Sequence, residues 1–322
     1  MTQGSVTQAS IMRVFVRPMF SVTPVSSRNR YALEPLGTKP KFWFTDDQER
    51  RILFKAEARG TGEDWAEKVA CELCRMLVLP HVVYNLAFDA QTGLPGVICE
   101  NCAPPPVELV LGNQLLLARD PAYPGDGRRY KVQAHTVKAV ADALSDLAVP
   151  PSPWSDSMPS GIQSALDVFV GYVMLDAWIA NQDRHHENWG ALKTGNDLCL
   201  APTFDHGASL ARNLSDSERA ERLSTRDSRR QIDSFARKAR SAIYGAAADP
   251  KALTTFDAWI AFSRLSPAAS RIWKQRLCSI TDQCVSHILD EIPPARISET
   301  GRRFTLSLLL VNQQRICSGD IH

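Results

Sequence analysis

The segment Asn181-Gln-Asp-Arg-His-His-Glu-Asn188 follows an apolar helix pattern and is rich in acidic, basic and amide side chains. Residues 189–201 after it have the signature of a β-hairpin, with two apolar runs around a Gly-Asn-Asp turn. The chain then reaches Thr203-Phe-Asp-His-Gly207. Because the start and the end of one hairpin lie close together, we expect Asn188 and Asp205 to face the same point.

The spacing of these side chains fits the needs of phosphoryl transfer. That reaction needs one carboxylate that accepts or orients the hydroxyl proton of the nucleophile. It also needs an amide oxygen and a second carboxylate that hold Mg²⁺ against the phosphates. Asp183 precedes Asn188 with the Asp-x-x-x-x-Asn spacing of a protein-kinase catalytic loop, and Asp205 follows at the end of the next strand.

Two other interpretations of these residues stay open at this point. His185, His186 and His206 could form a transition-metal site with the carboxylates of Asp183 and Asp205. Adjacent histidines in a loop lack the i, i+4 pairing of a helical HExxH site, which disfavours a metallohydrolase. The segment could also be a structural polar cluster.

A cation for the nucleotide phosphates is predicted in the N-terminal part of the chain. Lys55 lies in the strand pattern Ile52-Leu-Phe-Lys-Ala56, as the strand lysine of protein kinases does. Glu67 or Glu63 could pair with it, and Glu67 is preferred because it lies within the following helix. The turn Gly37-Thr-Lys-Pro-Lys41 could cover phosphates with its N–H groups and lysines, or be a basic hairpin turn.

The order of these patterns predicts an α+β protein. The first hundred residues read as three strands, a helix over 64–79, and two more strands. Ala103-Pro-Pro-Pro106 forms a stiff joint, since proline fixes its own φ and restrains its neighbour. The remainder reads mainly as helix. The helical patterns cover 136–147, 161–181, 256–262 and 268–289.

A length of 322 residues exceeds what one compact core usually holds, which favours two lobes. We expect residues 1–30 to be partly mobile or to form an edge strand. Residues 31–102 are predicted to form a small β-rich N-lobe and residues 103–322 a larger, mainly helical C-lobe. A cleft between two such lobes is a common place for a nucleotide.

The charge balance argues against two classes of partner. The chain has 37 basic and 35 acidic residues, a net charge of +2, so neither direct nucleic-acid binding nor attachment to a membrane surface is expected. The exception is the basic segment 222–240, which is either a solvated face or a docking patch for an acidic partner.

Eight cysteines raise the question of zinc. Cys71 and Cys74, as well as Cys99 and Cys102, form Cys-x-x-Cys pairs, but the first pair lies on the apolar stripe of a helix pattern without the glycine turns of a zinc knuckle. We therefore predict buried reduced thiols rather than zinc. With no signal-peptide pattern at the N-terminus, free thiols indicate a cytoplasmic location.

The motifs together resemble those of the HipA-like kinases, within the wider protein-kinase and phosphatidylinositol-kinase-like superfamily. The residues that carry the resemblance are Asn181-x-Asp-Arg-His-x-x-Asn188 and Phe204-Asp-His-Gly207. Supporting motifs are Gly37-Thr-Lys-Pro-Lys41, Ile52-Leu-Phe-Lys55, Gly62-Glu-Asp-Trp-Ala-Glu67 and Leu111-Gly-Asn113. The resemblance extends over roughly residues 31–300 and implies a two-lobed kinase fold that uses ATP and Mg²⁺.

The resemblance also implies a role for each site residue. Asp183 would be the catalytic base, with His185 beside it in the catalytic group, and Asn188 and Asp205 would bind the metal. The nucleotide would be bound by Gly37, Thr38, Lys39, Lys55, Glu67, and the hinge residues Glu100 and Asn101.

Members of that family phosphorylate serine or threonine in proteins, including themselves. Several are toxins held by a DNA-binding antitoxin, and aminoacyl-tRNA synthetases are among their targets. The resemblance therefore implies a protein substrate and a possible small antitoxin or accessory protein. Alternatives are a lipid or small-molecule kinase, and an inactive nucleotide-binding module that acts by interaction.

Overall fold

The computed structural model describes residues 19–33, 40–57, 60–125 and 130–319. The strands are β1 Thr23–Val25, β2 Ala32–Leu33, β3 Lys41–Thr45, β4 Arg51–Ala56, β5 Tyr84–Asp89, β6 Pro95–Glu100, β7 Glu108–Leu111, β8 Gly190–Thr194 and β9 Asp197–Leu200. The helices are α1 Glu63–Leu77, α2 Gly112–Arg119, α3 Val137–Leu144, α4 Ala165–Trp178, α5 Asp216–Ser224, α6 Ile232–Lys238, α7 Thr255–Leu265, α8 Pro267–Ser279, α9 Asp282–Glu291 and α10 Glu299–Ser318.

The N-terminal part is a six-stranded sheet with the order β1-β5-β6-β4-β3-β2. β1 pairs in parallel with β5 at one edge of the sheet. Residues 1–30 were expected to be partly mobile or to form an edge strand, and β1 is such an edge strand. In β4, Ile52, Phe54 and Ala56 are buried on one face, as the two-residue period of a strand requires. Leu53 and Lys55 therefore share the opposite face, which lines the cleft.

The helix predicted over 64–79 is confirmed as α1. Gly62 precedes it with a φ of 83°, and a Cβ there would overlap the indole of Trp65, so glycine is required at this position. The helix ends where Val78 takes a left-handed conformation and its N–H bonds to the carbonyl of Cys74. Most of α1 is buried, which brings its acidic side chains into the interior beside the cleft.

The C-terminal part packs helices around α4. This helix is buried on nearly all sides, because its sequence from Ala165 to Trp178 is almost wholly apolar. Ser164 caps it in a reciprocal arrangement with Asp167, so the helix begins later than the predicted 161. The pattern over 268–289 forms two helices instead of one, since Thr281 caps α9 after α8 has ended.

A second, three-stranded sheet has the order β7-β8-β9. The predicted hairpin of β8 and β9 is confirmed, with Thr194 opposite Asp197 at its turn. β7 pairs antiparallel with β8, placing Leu111 opposite Gly190. The strand β7 thus brings the segment after the proline joint against the hairpin that follows Asn188.

The cysteines include one feature that the sequence patterns did not predict. Cys278 and Cys317 form a disulfide between the ends of α8 and α10, with a Cα–Cα distance of 5.8 Å. Cys71 and Cys74 are free and buried on α1, as predicted, and Cys99 and Cys102 are also free. The prediction of reduced thiols is therefore confirmed for the Cys-x-x-Cys pairs, and the disulfide joins two cysteines outside them. Among residues 19–33, 40–57, 60–125 and 130–319, none of the helices has the length and apolarity needed to span a membrane.

Candidate active site

A cleft with a volume of about 390 Å³ lies between the cleft face of the six-stranded sheet and the segments around β8. Its apolar wall includes Leu53, Val97, Leu109 and Leu111. Its polar lining includes Lys41, Lys55, Glu57, Glu63, Glu67, Asp183, His185, Glu187, Asn188, Asp205 and Arg212. The predicted site residues that the structure describes thus share one cavity, although they lie on distant parts of the chain.

Lys55 lies at the centre of the charged part of the cleft. Its Nζ is 2.6 Å from Oδ1 of Asp205 and 3.1 Å from Oε2 of Glu67. Burial disfavours the charged ammonium, but the two carboxylates outweigh this effect and raise the pKa of Lys55 above its ordinary value. Lys55 is therefore a fixed positive charge in the cleft.

Glu67 connects helix α1 to the segment after Asp205. Its carboxylate accepts hydrogen bonds from the N–H of His206, at 2.7 Å, and of Gly207, at 3.2 Å. Burial would raise the pKa of Glu67, but the charge of Lys55 and hydrogen bonding from His206 lower it overall. The pairing of Lys55 with Glu67, preferred over Glu63 in the sequence, is the one present in the structure.

Asp205 takes a left-handed backbone conformation, with a φ of 59°. Its N–H donates to the hydroxyl of Tyr84 at 3.4 Å, and the ring of Tyr84 lies under the ammonium of Lys55, 5.2 Å from its centroid. Non-glycine residues tolerate such a φ mainly where surrounding contacts hold them. The backbone turn aims the Asp205 carboxylate into the cleft toward Lys55.

A buried ion pair supports the loop from Asn181 to Asn188. Asp176, near the end of α4, accepts hydrogen bonds from Nε and Nη2 of Arg184 at 2.8 and 2.9 Å, and from Nδ2 of Asn181 at 2.8 Å. Arg184 also donates from Nη1 to the carbonyl of Asn188 at 2.8 Å. The side chains of Arg184 and Asp176 are only 1% and 3% exposed, so one buried pair fixes both ends of the loop.

Asp183, His185 and Asn188 meet at the mouth of the cleft. Nδ2 of Asn188 donates to the carbonyl of Asp183 at 2.7 Å, which leaves Oδ1 as the amide atom that can bind a cation. Nδ1 of His185 accepts from the N–H of Glu187 at 3.1 Å, so its proton is on Nε2. That nitrogen lies 3.7 Å from Oδ1 of Asp183. This separation is longer than a direct hydrogen bond, so His185 lies beside the carboxylate of Asp183 without bonding to it at this distance.

The three histidines do not converge on a metal site. The ring of His186 is buried and contacts the hydroxyl of Tyr123 at 2.8 Å, whereas His206 contacts the hydroxyl of Thr203 at 2.8 Å. In the part of the chain that the structure describes, no group of three or more His, Cys, Asp or Glu residues is arranged to hold a metal ion. The geometry therefore gives no support to the metallohydrolase interpretation.

The predicted hinge lies along one wall of the cleft. Glu100 and Asn101 both line the cavity, although the side chain of Glu100 is 59% exposed and faces Arg50 at 3.4 Å. Nδ2 of Asn101 donates to the carbonyl of Ala103, and the N–H of Ala103 donates back to Oδ1. Any contact of Glu100 with a nucleotide would thus come from its backbone. Burial raises the pKa of the adjacent Cys99 to about 12, so that thiol stays protonated.

The predicted phosphate-covering turn falls on a stretch that is only partly described. Gly37, Thr38 and Lys39 lie outside the described residues. Lys41, at the start of β3, is opposite Lys55 in the register of the sheet and lines the same cleft. A second lysine therefore accompanies Lys55 on this wall.

Several residues of the site escaped the sequence analysis. Glu57 is buried at 5% exposure and accepts a hydrogen bond from the N–H of Glu63 at 2.6 Å, so it caps the start of α1. Arg212 enters the cleft from the segment after Asp205 and contacts Glu63. Tyr130, 63% exposed, lies edge-on to His185 at 5.4 Å between centroids. Only Asp176 could have been suspected from the sequence, because it is an acidic residue inside an apolar helix pattern.

Comparison with solved structures identifies the fold. A proinflammatory kinase of Helicobacter pylori, CtkA, matches with a TM-score of 0.66 and 18% identity, over 93% of this chain and 100% of that chain. HipA of Shewanella oneidensis, in a complex with HipB and operator DNA, matches with a TM-score of 0.53 and 12% identity, over 91% of this chain and 66% of that chain. No protein-family model and no curated protein matches the sequence. The chain has the two-lobed α+β fold of HipA-like kinases, as its motifs predict.

Proposed function

We propose that this protein is an ATP-dependent phosphotransferase that phosphorylates serine or threonine hydroxyls in proteins. The observation that carries the proposal is the contact of Lys55 with both Glu67 and Asp205, in the same cleft as Asp183 and Asn188. A lysine held by two carboxylates, beside an Asp and an Asn with the Asp-x-x-x-x-Asn spacing, is the arrangement that phosphoryl transfer needs. The kinase fold of the chain supports the same proposal.

The donor set of the cleft fits Mg²⁺. One carboxylate, from Asp205, and one amide oxygen, from Asn188, are both hard oxygen ligands. Mg²⁺ usually keeps several waters and is bound by one or two carboxylates together with substrate phosphates. The lack of a three-ligand cluster among the described residues therefore suits this ion better than zinc. When bound, Mg²⁺ and ATP supply the transferable phosphoryl group and neutralise its charge.

The residues of the chain then have distinct tasks. Lys55 presents its charge to the phosphates, and Glu67 holds the ammonium in place. Asp183 accepts or orients the proton of the acceptor hydroxyl, with His185 beside its carboxylate at 3.7 Å. Glu100 binds the base of the nucleotide through backbone groups beside the apolar wall, next to Asn101, whose N–H already donates to the carbonyl of Arg51.

A protein acceptor is preferred over a lipid because of the HipA-like motifs and the nearly neutral net charge of +2. The solved HipA forms a complex with HipB and DNA. We extend that observation to the proposal that a separate small protein binds this chain and restrains its activity, as an antitoxin would.

The test is incubation of the full chain with γ-labelled ATP and Mg²⁺, alone and with a protein mixture or lipid vesicles. Labelled phosphoserine or phosphothreonine in protein is the expected product. Label in extracted lipid or a small molecule, with none in protein, would identify the alternative acceptor class. If no acceptor is labelled and no ATP is consumed, the phosphotransferase proposal fails.

A matched variant tests the metal role separately. Asp205→Asn keeps the size of the side chain but removes the charge that faces Lys55 at 2.6 Å. Its affinity for Mg-ATP should fall, whereas its affinity for ATP without Mg²⁺ should change much less. An unchanged Mg-ATP affinity would remove Asp205 from the metal site.

A further inference from the structure

Helix α1 is held at two acidic side chains by one segment of the C-lobe. Glu63 and Glu67 are four residues apart, so their carboxylates lie on the same side of the helix, one turn from each other. Glu67 accepts from the backbone of His206 and Gly207, and Glu63 is contacted by Arg212. The segment 205–212 therefore contacts both turns of α1 that face the cleft.

The contact with Arg212 is specific and largely shielded from water. Its Nη2 contacts Oε1 of Glu63, its Nη1 donates to the hydroxyl of Thr61 just before α1, and the two charged side chains are 15% and 12% exposed. A planar guanidinium that binds two oxygens at once holds its partners in a defined orientation. Arg212 therefore sets where the first turn of α1 lies.

The backbone that carries Arg212 is itself anchored in the C-lobe. Leu210 is fully buried, and its N–H donates to the carbonyl of Ile179 at 2.8 Å. Leu210 and Ala211 both take left-handed conformations, with φ values of 57° and 50°. Two such residues in succession persist only where surrounding contacts hold them. The guanidinium is thus presented from a rigid turn rather than from a loose loop.

A second cation fixes α1 from another side. Nη1 of Arg296 lies 2.5 Å from Oδ2 of Asp64, and its Nη2 donates to the carbonyl of Ala87 at 2.8 Å. The side chains of Arg296 and Asp64 are 10% and 3% exposed. Together with Arg212, this pair attaches the start of α1 to the C-lobe through two charged contacts.

We propose that Arg212 is a positioning residue that keeps α1 in the arrangement where Glu67 pairs with Lys55, without phosphorylation of the segment that follows Asp205. In kinases that are switched by phosphorylation, a new phosphate pairs with arginines and orders this kind of segment. Here the ion pair of Arg212 with Glu63 supplies that connection permanently. Ser209, in the same segment, is 1% exposed and so is inaccessible to another kinase.

The proposal rests on the proposed function, and a mutant cycle tests it. Arg212→Gln and Glu63→Gln should each lower kcat about 10- to 100-fold, with a smaller change in the KM for ATP, because both variants break the ion pair of Arg212 with Glu63. Arg212→Gln also loses the contact with Thr61, so the double variant should be no slower than Arg212→Gln alone. The reversed pair, Arg212→Glu with Glu63→Arg, should recover much of the rate lost by either reversal alone.

These outcomes separate positioning from direct phosphate binding by Arg212. If Arg212 bound the phosphates itself, Glu63→Gln would leave kcat unchanged or increase it. The decrease in kcat of the double variant would then equal the sum of the effects of the two single variants on the activation free energy. Either result overturns the proposal. If the reversed pair does not fold, the comparison of Arg212→Gln, Glu63→Gln and their double variant still tests the proposal. Additive effects of the two substitutions on kcat would contradict it.

Hydrogen exchange gives a readout that does not depend on phosphotransfer. Amides of α1 and of residues 205–212 should exchange faster in Arg212→Gln than in the wild type, without nucleotide present. The surface variant Arg237→Gln, which breaks an exposed pair with Asp233, should change neither exchange in α1 nor kcat. If the wild type consumes no ATP, the proposed function fails, while unchanged exchange in Arg212→Gln refutes the positioning role.

Discussion

Replacing Asp176 by asparagine should destabilise the protein more than any surface substitution of the same kind. Asp176 accepts three side-chain hydrogen bonds, two from Arg184 and one from Asn181. Asparagine has a single carbonyl oxygen, so its NH₂ group must face a donor on one side. The charge of Arg184, 1% exposed, would also lose its only carboxylate within 4 Å in the part of the chain that the structure describes.

The magnitude follows from the burial of both groups. Removing one partner of a buried ion pair costs about 3–5 kcal/mol, because an uncompensated charge is left in the interior. Total stabilities are only roughly 5–15 kcal/mol, so this loss is a large share of the free energy of unfolding. Because Arg184 also holds the carbonyl of Asn188, phosphotransfer should decline together with stability.

Urea unfolding followed by tryptophan fluorescence measures the effect, since Trp178 and Trp189 are buried next to the loop. The matched control is Asp233→Asn, in an exposed i, i+4 pair with Arg237, which should change stability by only about 0.3–0.5 kcal/mol. A loss in Asp176→Asn as small as in Asp233→Asn would refute the reasoning that this ion pair supports the loop.

Three further changes follow from the same contacts. Lys55→Met should lower kcat by about 10²–10³ at saturating ATP, because the charge that we propose faces the phosphates is lost, while the exposed Lys138→Met should not. Gly112→Ala should destabilise by about 1–3 kcal/mol in thermal unfolding, since a Cβ there would come within 2.4 Å of the Trp189 ring and 2.6 Å of a backbone carbonyl. Burial lowers the pKa of His135 in the folded protein to about 3. Below about pH 6.5 the unfolded state therefore binds a proton that the folded state does not bind. The free energy of unfolding should decrease as the pH falls from about 6.5 toward 3. The free energy of unfolding should depend less steeply on pH in His135→Asn than in the wild type. An equal slope in the two proteins would show that His135 does not cause this pH dependence.

Local patterns predicted the elements that carry the site, and long-range packing supplied the rest. The strand with Lys55, the helix with Glu67 and the hairpin before Asp205 all have clear periods, and each is present. Their convergence could be inferred only through the resemblance, because Lys55 and Asp205 are 150 residues apart. Short elements such as β7 are too brief for a periodic signal.

The features that were not predicted from the sequence also have specific causes. The single helix expected over 268–289 ignored Thr281, whose hydroxyl can cap a new helix. The disulfide between Cys278 and Cys317 was not foreseen, because eight cysteines allow many pairings and sequence spacing does not choose among them. Arg212 gave no signal, since a single arginine after the Asp205 motif has no pattern around it.

We propose that Asp183 acts on the acceptor hydroxyl in an assembled phosphotransfer site. The most direct measurement is the rate of labelled phosphoryl transfer from ATP by Asp183→Asn and by the wild type, together with the affinity of both for Mg-ATP. We predict a rate about 10²–10⁴ lower with little change in affinity, because asparagine cannot accept the proton. A transfer rate equal to that of the wild type would contradict the account.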